Sequence, residues 1–194
     1  MKKLLVALLI SVSLLSVANA NTPTEALELS VNQLIAIAAQ AELSDDEKRK
    51  QLAEIINAEV NFNQVSRRIV LKKWKKATTE QKAQFKQQFS NIMVDTYADL
   101  LKNYSNEKVL YVKEQIKREK YAIVDTQVIS GNKKIPVRYR LVKTKEHWKI
   151  YDFVVEGISI VTTYKNNYKS VLKKGGIELL LEEMKKAKNK GSKE

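Results

Sequence analysis

Few residues in this chain have the side chains that catalysis or metal binding requires. The sequence has one histidine and no cysteine, which excludes a thiolate nucleophile and a sulfur-based metal site. No cluster of acids and histidine has the spacing of metal ligands, and no glycine-rich loop is suited to cradling phosphates. His147 stands in or beside a charged turn, where we expect it to be exposed to solvent. The candidates for catalysis are therefore two acids.

These acids are Asp152 and Glu156, near the end of an aromatic segment over residues 148–155. Alternation along the segment places Asp152 on the inward face of a strand, which is unusual for an acid. We interpret it as a structural carboxylate that accepts backbone hydrogen bonds where a strand meets a helix, because no second acid or electrophilic group accompanies it. A general base is the alternative. Glu156, directly before Gly157, is interpreted as a turn residue.

Residues 1–20 have the features of a secretory signal peptide. Two lysines precede an apolar stretch that ends at Ala18-Asn19-Ala20, and this order is typical of such leaders. The apolar run is shorter than the roughly 20 residues that span a bilayer. We expect cleavage after Ala20 and export to the periplasm. A single domain over residues 21–184 then precedes a disordered, lysine-rich tail over residues 185–194.

The chain is strongly basic, with 35 lysines and arginines against 22 acids and a formal net charge of +13. Nucleic-acid binding is one explanation, but the leader and the mixing of lysines with acids argue against it. The densest basic cluster consists of Arg67, Arg68, Lys72, Lys73, Lys75 and Lys76. It is either a solvated helix face or a docking surface for acidic membranes or partner proteins, where charge raises association rates.

The first half of the chain has helical periodicity. Thr22 with Glu25 and Ser44 with Glu47 form two capping boxes, each before an apolar stripe. A third helix is predicted over residues 62–76, and Thr78 with Gln81 caps a fourth. The apolar stripe of this fourth helix consists of Phe85, Phe89, Ile92, Met93, Tyr97, Leu100 and Tyr104.

From Lys108 onward the period changes to two, which predicts strands. Ser130-Gly131-Asn132-Lys133 is a hairpin turn in which Ser130 pairs with Lys133. That register puts Ala122, Val124, Thr126 and Val128 opposite Leu141, Tyr139, Val137 and Ile135 on one face. It also pairs Asp125 with Arg138 on the other face, a favourable cross-strand couple. A further hairpin through residues 143–146 brings Trp148, Ile150 and Val154 onto the same apolar face. Helical spacing returns after Gly157, so we expect four helices, four antiparallel strands and two helices, an α+β domain.

Three segments resemble the MlaC family of periplasmic phospholipid-binding proteins, also called toluene-tolerance auxiliary proteins. WKIYDFVVEGISIVTTYKNNYKSVL (148–172) resembles the family's C-terminal signature. The segment over residues 62–101 resembles its central helical signature, and GIELLLE (176–182) extends the likeness to nearly all of the chain after the leader. The family pattern usually has an aspartate where this chain has Asn63, which leaves a role for that acid in doubt.

The resemblance implies a cone related to the nuclear-transport-factor and ketosteroid-isomerase shape, in which helices pack on a curled four-stranded antiparallel sheet around an apolar cavity. That isomerase shape can place a carboxylate in its cavity, which is why Asp152 is considered as a base. The set that we expect to line the cavity and touch acyl chains, with plain core as the alternative for any one member, is Val65, Ile69, Phe89, Met93, Tyr97, Val124, Val137, Tyr139 and Ile150.

The function implied by the resemblance is that of a monomeric, non-enzymatic phospholipid shuttle. It would carry lipid between an outer-membrane lipoprotein complex and an inner-membrane ABC transporter with its lipid-binding subunit, which maintains the lipid asymmetry of the outer membrane. The bound phospholipid is a ligand, and no cofactor or metal is expected. Two alternatives are an isomerase-like enzyme that uses Asp152, and an exported adaptor that binds an acidic protein without lipid.

Overall fold

The computed structural model describes residues 22–102, 107–145 and 147–191, with side chains described except at 100–102 and 188–191. The predicted leader and the end of the tail lie outside these ranges, as do the side chains of Leu100 and Tyr104. Five helices come first: α1 (Pro23–Ala39), α2 (Asp45–Glu59), α3 (Phe62–Val70), α4 (Lys72–Lys76) and α5 (Thr79–Lys102).

The predicted helix starts are confirmed. Thr22 Oγ1 accepts a hydrogen bond from the Glu25 amide at 3.1 Å, and Glu25 Oε2 accepts one from the Thr22 amide at 3.1 Å. Ser44 and Glu47 form the same reciprocal pair at the start of α2. Thr78 Oγ1 accepts from the Gln81 amide at 3.1 Å before α5. Each pair satisfies amide groups that the first helical turn leaves without a partner.

The prediction of one helix over residues 62–76 is wrong, because the backbone breaks at Leu71 (φ 55°, ψ −130°). Trp74 follows Ile69 by five positions, which on a continuous helix would place it about 140° around the axis from that residue. The break turns α4 so that Trp74 is buried with Ile69 in the same core. Its ring packs against Phe85 at a centroid distance of 6.0 Å.

An antiparallel sheet follows, with the strands in chain order: β1 (Lys108–Lys117), β2 (Tyr121–Ser130), β3 (Lys133–Lys143), β4 (Trp148–Val155) and β5 (Ile158–Ser159). The predicted β2–β3 register is confirmed at every pair, from Ser130 opposite Lys133 to Ala122 opposite Leu141. Arg138 Nε donates to Asp125 Oδ1 at 2.6 Å. The α+β class is therefore confirmed, with the short β5 added to the four predicted strands.

The predicted β3–β4 pairing is wrong beyond Ile150. Leu141 lies opposite Ile150, but Arg140 lies opposite Asp152, so Tyr151 is an extra residue in β4. This irregularity inverts the facing of the residues that follow it. Val154 lies opposite Arg138 rather than on the apolar face, and Asp152 lies opposite Arg140.

The last helix, α6 (Ile160–Gly191), is interrupted at Gly176, where φ is 70° and ψ is −157°. Glycine takes this conformation without a Cβ clash, so α6 consists of two helical segments, as predicted. The second segment continues to Gly191, past Lys185, where the sequence predicted a disordered tail. Lysine and alanine are good helix formers, and the helix extends beyond Met184, the last buried residue among the described side chains.

Two groups of buried side chains form the interior. The first, here called the helical cluster, draws on α2 to α6 and includes Ile69, Trp74, Phe85, Phe89 and Leu180. The second, called the sheet cluster, lies between α1 and the inner face of the sheet and consists of Ala26, Leu27, Ala122, Val124, Leu141 and Trp148. Most of the predicted site residues belong to one of these two clusters or pack against it.

Candidate functional site

The predicted site residues on helices lie together in the helical cluster. Val65 and Ile69 come from the inner face of α3, and Phe89 and Met93 from that of α5; all four are buried. Tyr97, one turn further along α5, is partly buried against the same cluster. Their spacing of four residues along each helix aligns them on one helix face, which the sequence predicted.

The predicted residues on strands lie on the inner face of the sheet. Val124 and Val137 are buried, and Tyr139 and Ile150 are partly buried. Tyr139 and Ile150 pack against the sheet cluster. The structure therefore brings the nine predicted residues to the interior, on two facing surfaces. Whether they touch an acyl chain stays a prediction.

Phe153 joins the two clusters, and the sequence reasoning missed it. Its ring lies 5.6 Å from that of Tyr97 on α5 and 6.4 Å from that of Tyr139 on β3, measured between centroids. It faces inward only because the extra residue, Tyr151, shifts the register of β4. An aromatic residue beside Asp152 was visible in the sequence, but simple alternation assigned the inward position to Val154 instead.

Two tyrosines of α6 complete the aromatic contacts. The Tyr164 ring meets the Phe89 ring edge-on at 4.9 Å, and Tyr168 lies 5.7 Å from Tyr164. Phe89 also contacts Phe62 at 6.5 Å. The helical spacing of Tyr164 and Tyr168 was a signal for their inward position, although neither was among the predicted site residues.

Several tyrosine hydroxyls lie in this interior. Burial raises the pKa of Tyr139 to about 12. Burial, followed by the nearby Tyr139 and Tyr164, raises the pKa of Tyr97 well above its usual value. Burial also raises the pKa of Tyr168. All three side chains are therefore neutral at physiological pH, so the interior is apolar and aromatic with uncharged polar tips.

The Asp152 carboxylate has a structural role. Oδ1 accepts a hydrogen bond from the Val161 amide at 3.1 Å, and Oδ2 accepts from Ser159 Oγ at 2.8 Å and from Arg140 Nη1 at 2.9 Å. Asp152 is 4% exposed. These contacts fasten the start of α6 to β4 and β3, which is the structural role that the sequence favoured over a general base.

The other two residues considered for chemistry lie in turns. Glu156 is exposed with φ 48°, consistent with the predicted turn role. His147 is half-buried rather than exposed, because the turn folds back on itself: the His147 carbonyl oxygen accepts from the Thr144 amide at 2.9 Å and from Thr144 Oγ1 at 2.6 Å. Within the described ranges, no three His, Cys, Asp or Glu side chains come together as a metal site.

The basic cluster forms an exposed surface around the break between α3 and α4. Arg67, Arg68, Lys72, Lys73, Lys75 and Lys76 are all exposed, and Leu71 at the break is 56% exposed. The Arg68 guanidinium carbon lies 4.3 Å from the centroid of the Tyr151 ring. This basic surface lies beside the interior, since Ile69 and Trp74 on the same helices are buried in the helical cluster.

Two clefts lie at other places on the described part of the molecule. One, of about 640 Å³, lies beside the α2–α3 junction. The other, of about 350 Å³, lies around Asp125, Arg138 and Val154. Among the nine predicted site residues only Val137 borders either cleft. The rest are packed against their neighbours, so an acyl chain at these positions has to separate side chains that touch in the structure.

The fold and its interior define a class: an α+β protein whose helices pack against an antiparallel sheet, with partly buried aromatic rings where the two meet. A family model described as MlaC protein matches residues 28–186. The chain therefore belongs to the MlaC family.

Two relatives and one solved structure agree with this assignment. The chain is 26% identical over 130 residues to the intermembrane phospholipid transport system binding protein MlaC of Haemophilus influenzae, a match that covers 64% of this chain and 61% of the relative. It is 26% identical over 181 residues to the toluene tolerance protein ttg2D of Pseudomonas putida, covering 90% and 84%. The phospholipid-binding protein of Ralstonia solanacearum, solved in complex with a phospholipid, has the same fold, with a TM-score of 0.74, 23% identity and coverage of 83% and 93%.

The structure also bears on membrane association. In the ranges that it describes, no helix combines the length and the apolar character needed to cross a bilayer.

Proposed function

We propose that this protein is a periplasmic phospholipid carrier that moves lipid between an outer-membrane lipoprotein complex and an inner-membrane ABC transporter with its lipid-binding subunit. Membership of the MlaC family, together with the functions that the names of the two relatives state, supports this assignment. The observation that carries it is the meeting of the helical and sheet clusters around Tyr97, Tyr139 and Phe153. The leader over residues 1–20 supports export.

The physical need for such a carrier follows from the cost of hydrating acyl chains. Each CH₂ group is worth roughly 0.8 kcal/mol, so two chains with about 30 such groups cost roughly 25 kcal/mol to expose to water. A protein that replaces the apolar contacts of the bilayer leaves the transfer near equilibrium and removes most of that barrier. Valine, isoleucine, methionine and aromatic side chains provide such contacts, and the three neutral tyrosines add no charge.

The phospholipid is the ligand in this proposal, and ATP is hydrolysed by the transporter rather than by this chain. Retrieval or delivery of lipid by such a carrier maintains the lipid asymmetry of the outer membrane. The basic surface around Leu71 supports docking to the two membrane complexes. A carrier has to dock, release and dock again, and charge steering raises association rates without a large desolvated interface.

The test is the lipid content of the mature protein purified without detergent. We expect organic extraction and mass spectrometry to find phospholipid at close to one molecule per chain. Protein that is lipid-free, and that takes up no lipid from phospholipid vesicles, would contradict the carrier and favour the adaptor. Turnover of a small molecule that Asp152→Asn abolishes, with lipid absent, would favour the enzyme instead.

A further inference from the structure

The cleft beside the α2–α3 junction lies apart from the predicted site residues. It is formed by four parts of the chain: the end of α2, the start of α3, the first half of α5 and the β3–β4 turn with the following strand. Its volume is about 640 Å³, within the usual range of roughly 300–1,000 Å³ for ligand sites. The residues that line it are Asn57, Val60, Asn61, Phe62, Asn63, Ala83, Lys86, Gln87, Thr144, Lys145 and Lys149.

The charged side chains that line this cleft are all positive. Lys86, Lys145 and Lys149 come from three different elements and converge on it, and no acid is among the described lining residues. None of the three lysines forms an ion pair within the part of the chain that the structure describes. The remaining polar groups are neutral amides and one hydroxyl. Three ammonium groups around one concave surface, with no ion-pair partner among the described residues, attract an anion.

The amide side of the cleft is held in place by hydrogen bonds. Asn61 Oδ1 accepts from the Gln64 amide at 3.0 Å, and the Asn61 backbone amide donates to the Ile150 carbonyl at 2.7 Å. Asn57 Oδ1 accepts from Ser90 Oγ at 2.9 Å. With its oxygen engaged at the start of α3, Asn61 keeps its amide nitrogen as a donor. The cleft therefore combines a fixed asparagine donor at the start of α3 with three lysine charges.

The floor of the cleft leads to the interior. Phe62 lines the cleft and also belongs to the helical cluster, where its ring contacts Phe89. Val60 lies beside it and forms a bridge with Ile150, one of the predicted site residues. A ligand with an anionic end and an apolar end could place the first among the lysines while the second passes Phe62.

We propose that this cleft binds a phosphate group. Lysine ammonium groups act as point charges for phosphate oxygens, and charge-assisted hydrogen bonds of this kind are about twice as strong as neutral ones. The volume exceeds that of phosphate alone, so the cleft accommodates a phosphate ester with a small polar substituent. The phosphate comes either from the headgroup of a bound lipid or from a free phosphate ester. Only the first source rests on the carrier function proposed above.

The first experiment uses delipidated mature protein titrated with sodium phosphate at neutral pH, with sodium chloride at equal ionic strength as the reference. We expect saturable NMR shifts of the backbone amides of Asn61, Asn63 and Gln64. The double change Lys86→Gln and Lys149→Gln should weaken phosphate binding at least tenfold, whereas Lys134→Gln, an exposed lysine near the other end of β3, should leave it unchanged. Asn63→Asp adds a negative charge at an exposed position and should weaken binding without changing the fold.

The same titration on lipid-loaded protein identifies the source. If bound lipid abolishes the phosphate shifts, the headgroup occupies the cleft; if the shifts persist, the cleft binds a free ester beside the lipid. Shifts in delipidated protein that match those with chloride, or that are indifferent to the lysine substitutions, overturn the proposal. Lipid content measured on the same samples keeps the two proposals separate, since phosphate binding can fail while one lipid per chain is retained.

Discussion

The helical cluster and the sheet cluster are built in different ways. In the helical cluster, the single ring of Phe89 contacts the rings of Phe62, Phe85 and Tyr164, so aromatic rings from three helices pack together. In the sheet cluster, the helical cover is one helix, α1, which contributes Ala26 and Leu27. Apart from that apolar contact, α1 is joined to the sheet by Thr24, whose amide and hydroxyl donate to Glu114 at 2.8 and 2.6 Å.

The unequal packing of the two clusters indicates where the molecule opens most easily. Interlocked rings resist separation because each is in contact with several partners. Between the clusters, the aromatic contacts are those of Phe153 with its two tyrosine neighbours. An acyl chain that enters between the clusters displaces fewer contacts than one that enters the helical cluster itself. We therefore expect the sheet to move against a largely rigid helical body when lipid binds.

The largest effect should come from truncation within the helical cluster. Phe89→Ala removes a fully buried ring and three aromatic contacts, and such changes cost about 3–5 kcal/mol. Leu27→Ala is the matched truncation under α1. Its loss of unfolding free energy should lie near the lower end of the range of about 2–5 kcal/mol for such changes, since a single covering helix can collapse around the cavity. Urea unfolding of lipid-free protein measures both. A larger loss for Leu27→Ala than for Phe89→Ala would show that the sheet cluster, and not the helical cluster, is the more rigid of the two.

A smaller effect is expected at the junction that fastens α6 to the sheet. Asp152→Asn keeps the shape but removes the charge that pairs with Arg140, and we expect a loss of about 2 kcal/mol with lipid content unchanged. Asp125→Asn provides the control, because its partner Arg138 is half exposed and such pairs are worth at most about 1 kcal/mol. Equal losses in the two variants, measured by urea unfolding, would contradict the buried structural role of Asp152.

The facing of β4 can be tested by photo-crosslinking. A photoreactive residue in place of Phe153 should capture bound phospholipid, because position 153 lies between the clusters. The same residue at position 154 should capture little, since Val154 lies on the side of Arg138. Position 138 is a second control on that face. Mass spectrometry of the crosslinked protein gives the yields, and comparable yields at 153 and 154 would show that lipid does not lie between the clusters.

The smallest effect on stability should come from the basic surface. Reversal of Arg68, Lys72 and Lys76 to glutamate changes exposed side chains, so folding should change by no more than about 0.5 kcal/mol per site. Docking to immobilised membrane complexes should instead become slower, and the difference from the unmodified protein should shrink as salt rises, because screening acts beyond about 8 Å at physiological ionic strength. If the association rate changes neither with salt nor with these substitutions, the basic cluster is only a solvated helix face.

The parts of the structure that the sequence predicted are those set by local chemistry. Capping residues such as Thr22 and Ser44 determine where helices start, and the Ser130–Lys133 turn determines a register that Asp125 and Arg138 support. Those signals lie within a few residues of one another or across one hairpin. The inner faces of α3 and α5 follow from helical spacing in the same way.

The parts that the sequence did not predict depend on distant packing. The break at Leu71 turns Trp74 toward Phe85, which is eleven positions away from it. The extra residue in β4 brings Asp152 to the start of α6 and turns Phe153 inward. No local pattern indicates either irregularity, because each satisfies contacts with a different element. The contact residue Phe153 was missed for this reason, although its neighbours were found.

The irregular edge strand has a consequence for how the protein behaves at high concentration. The β1–β2 register shifts between Tyr111 and Lys113, and Val112 at that point is 60% exposed. An unbroken apolar edge strand is a template for a second chain, and a bulge with nearby lysines disfavours such pairing. A carrier of the proposed kind leaves each membrane alone with its lipid, so it gains from an edge that disfavours such pairing. The register shift at Val112 interrupts the apolar edge that Leu110, Val112 and Ile116 expose.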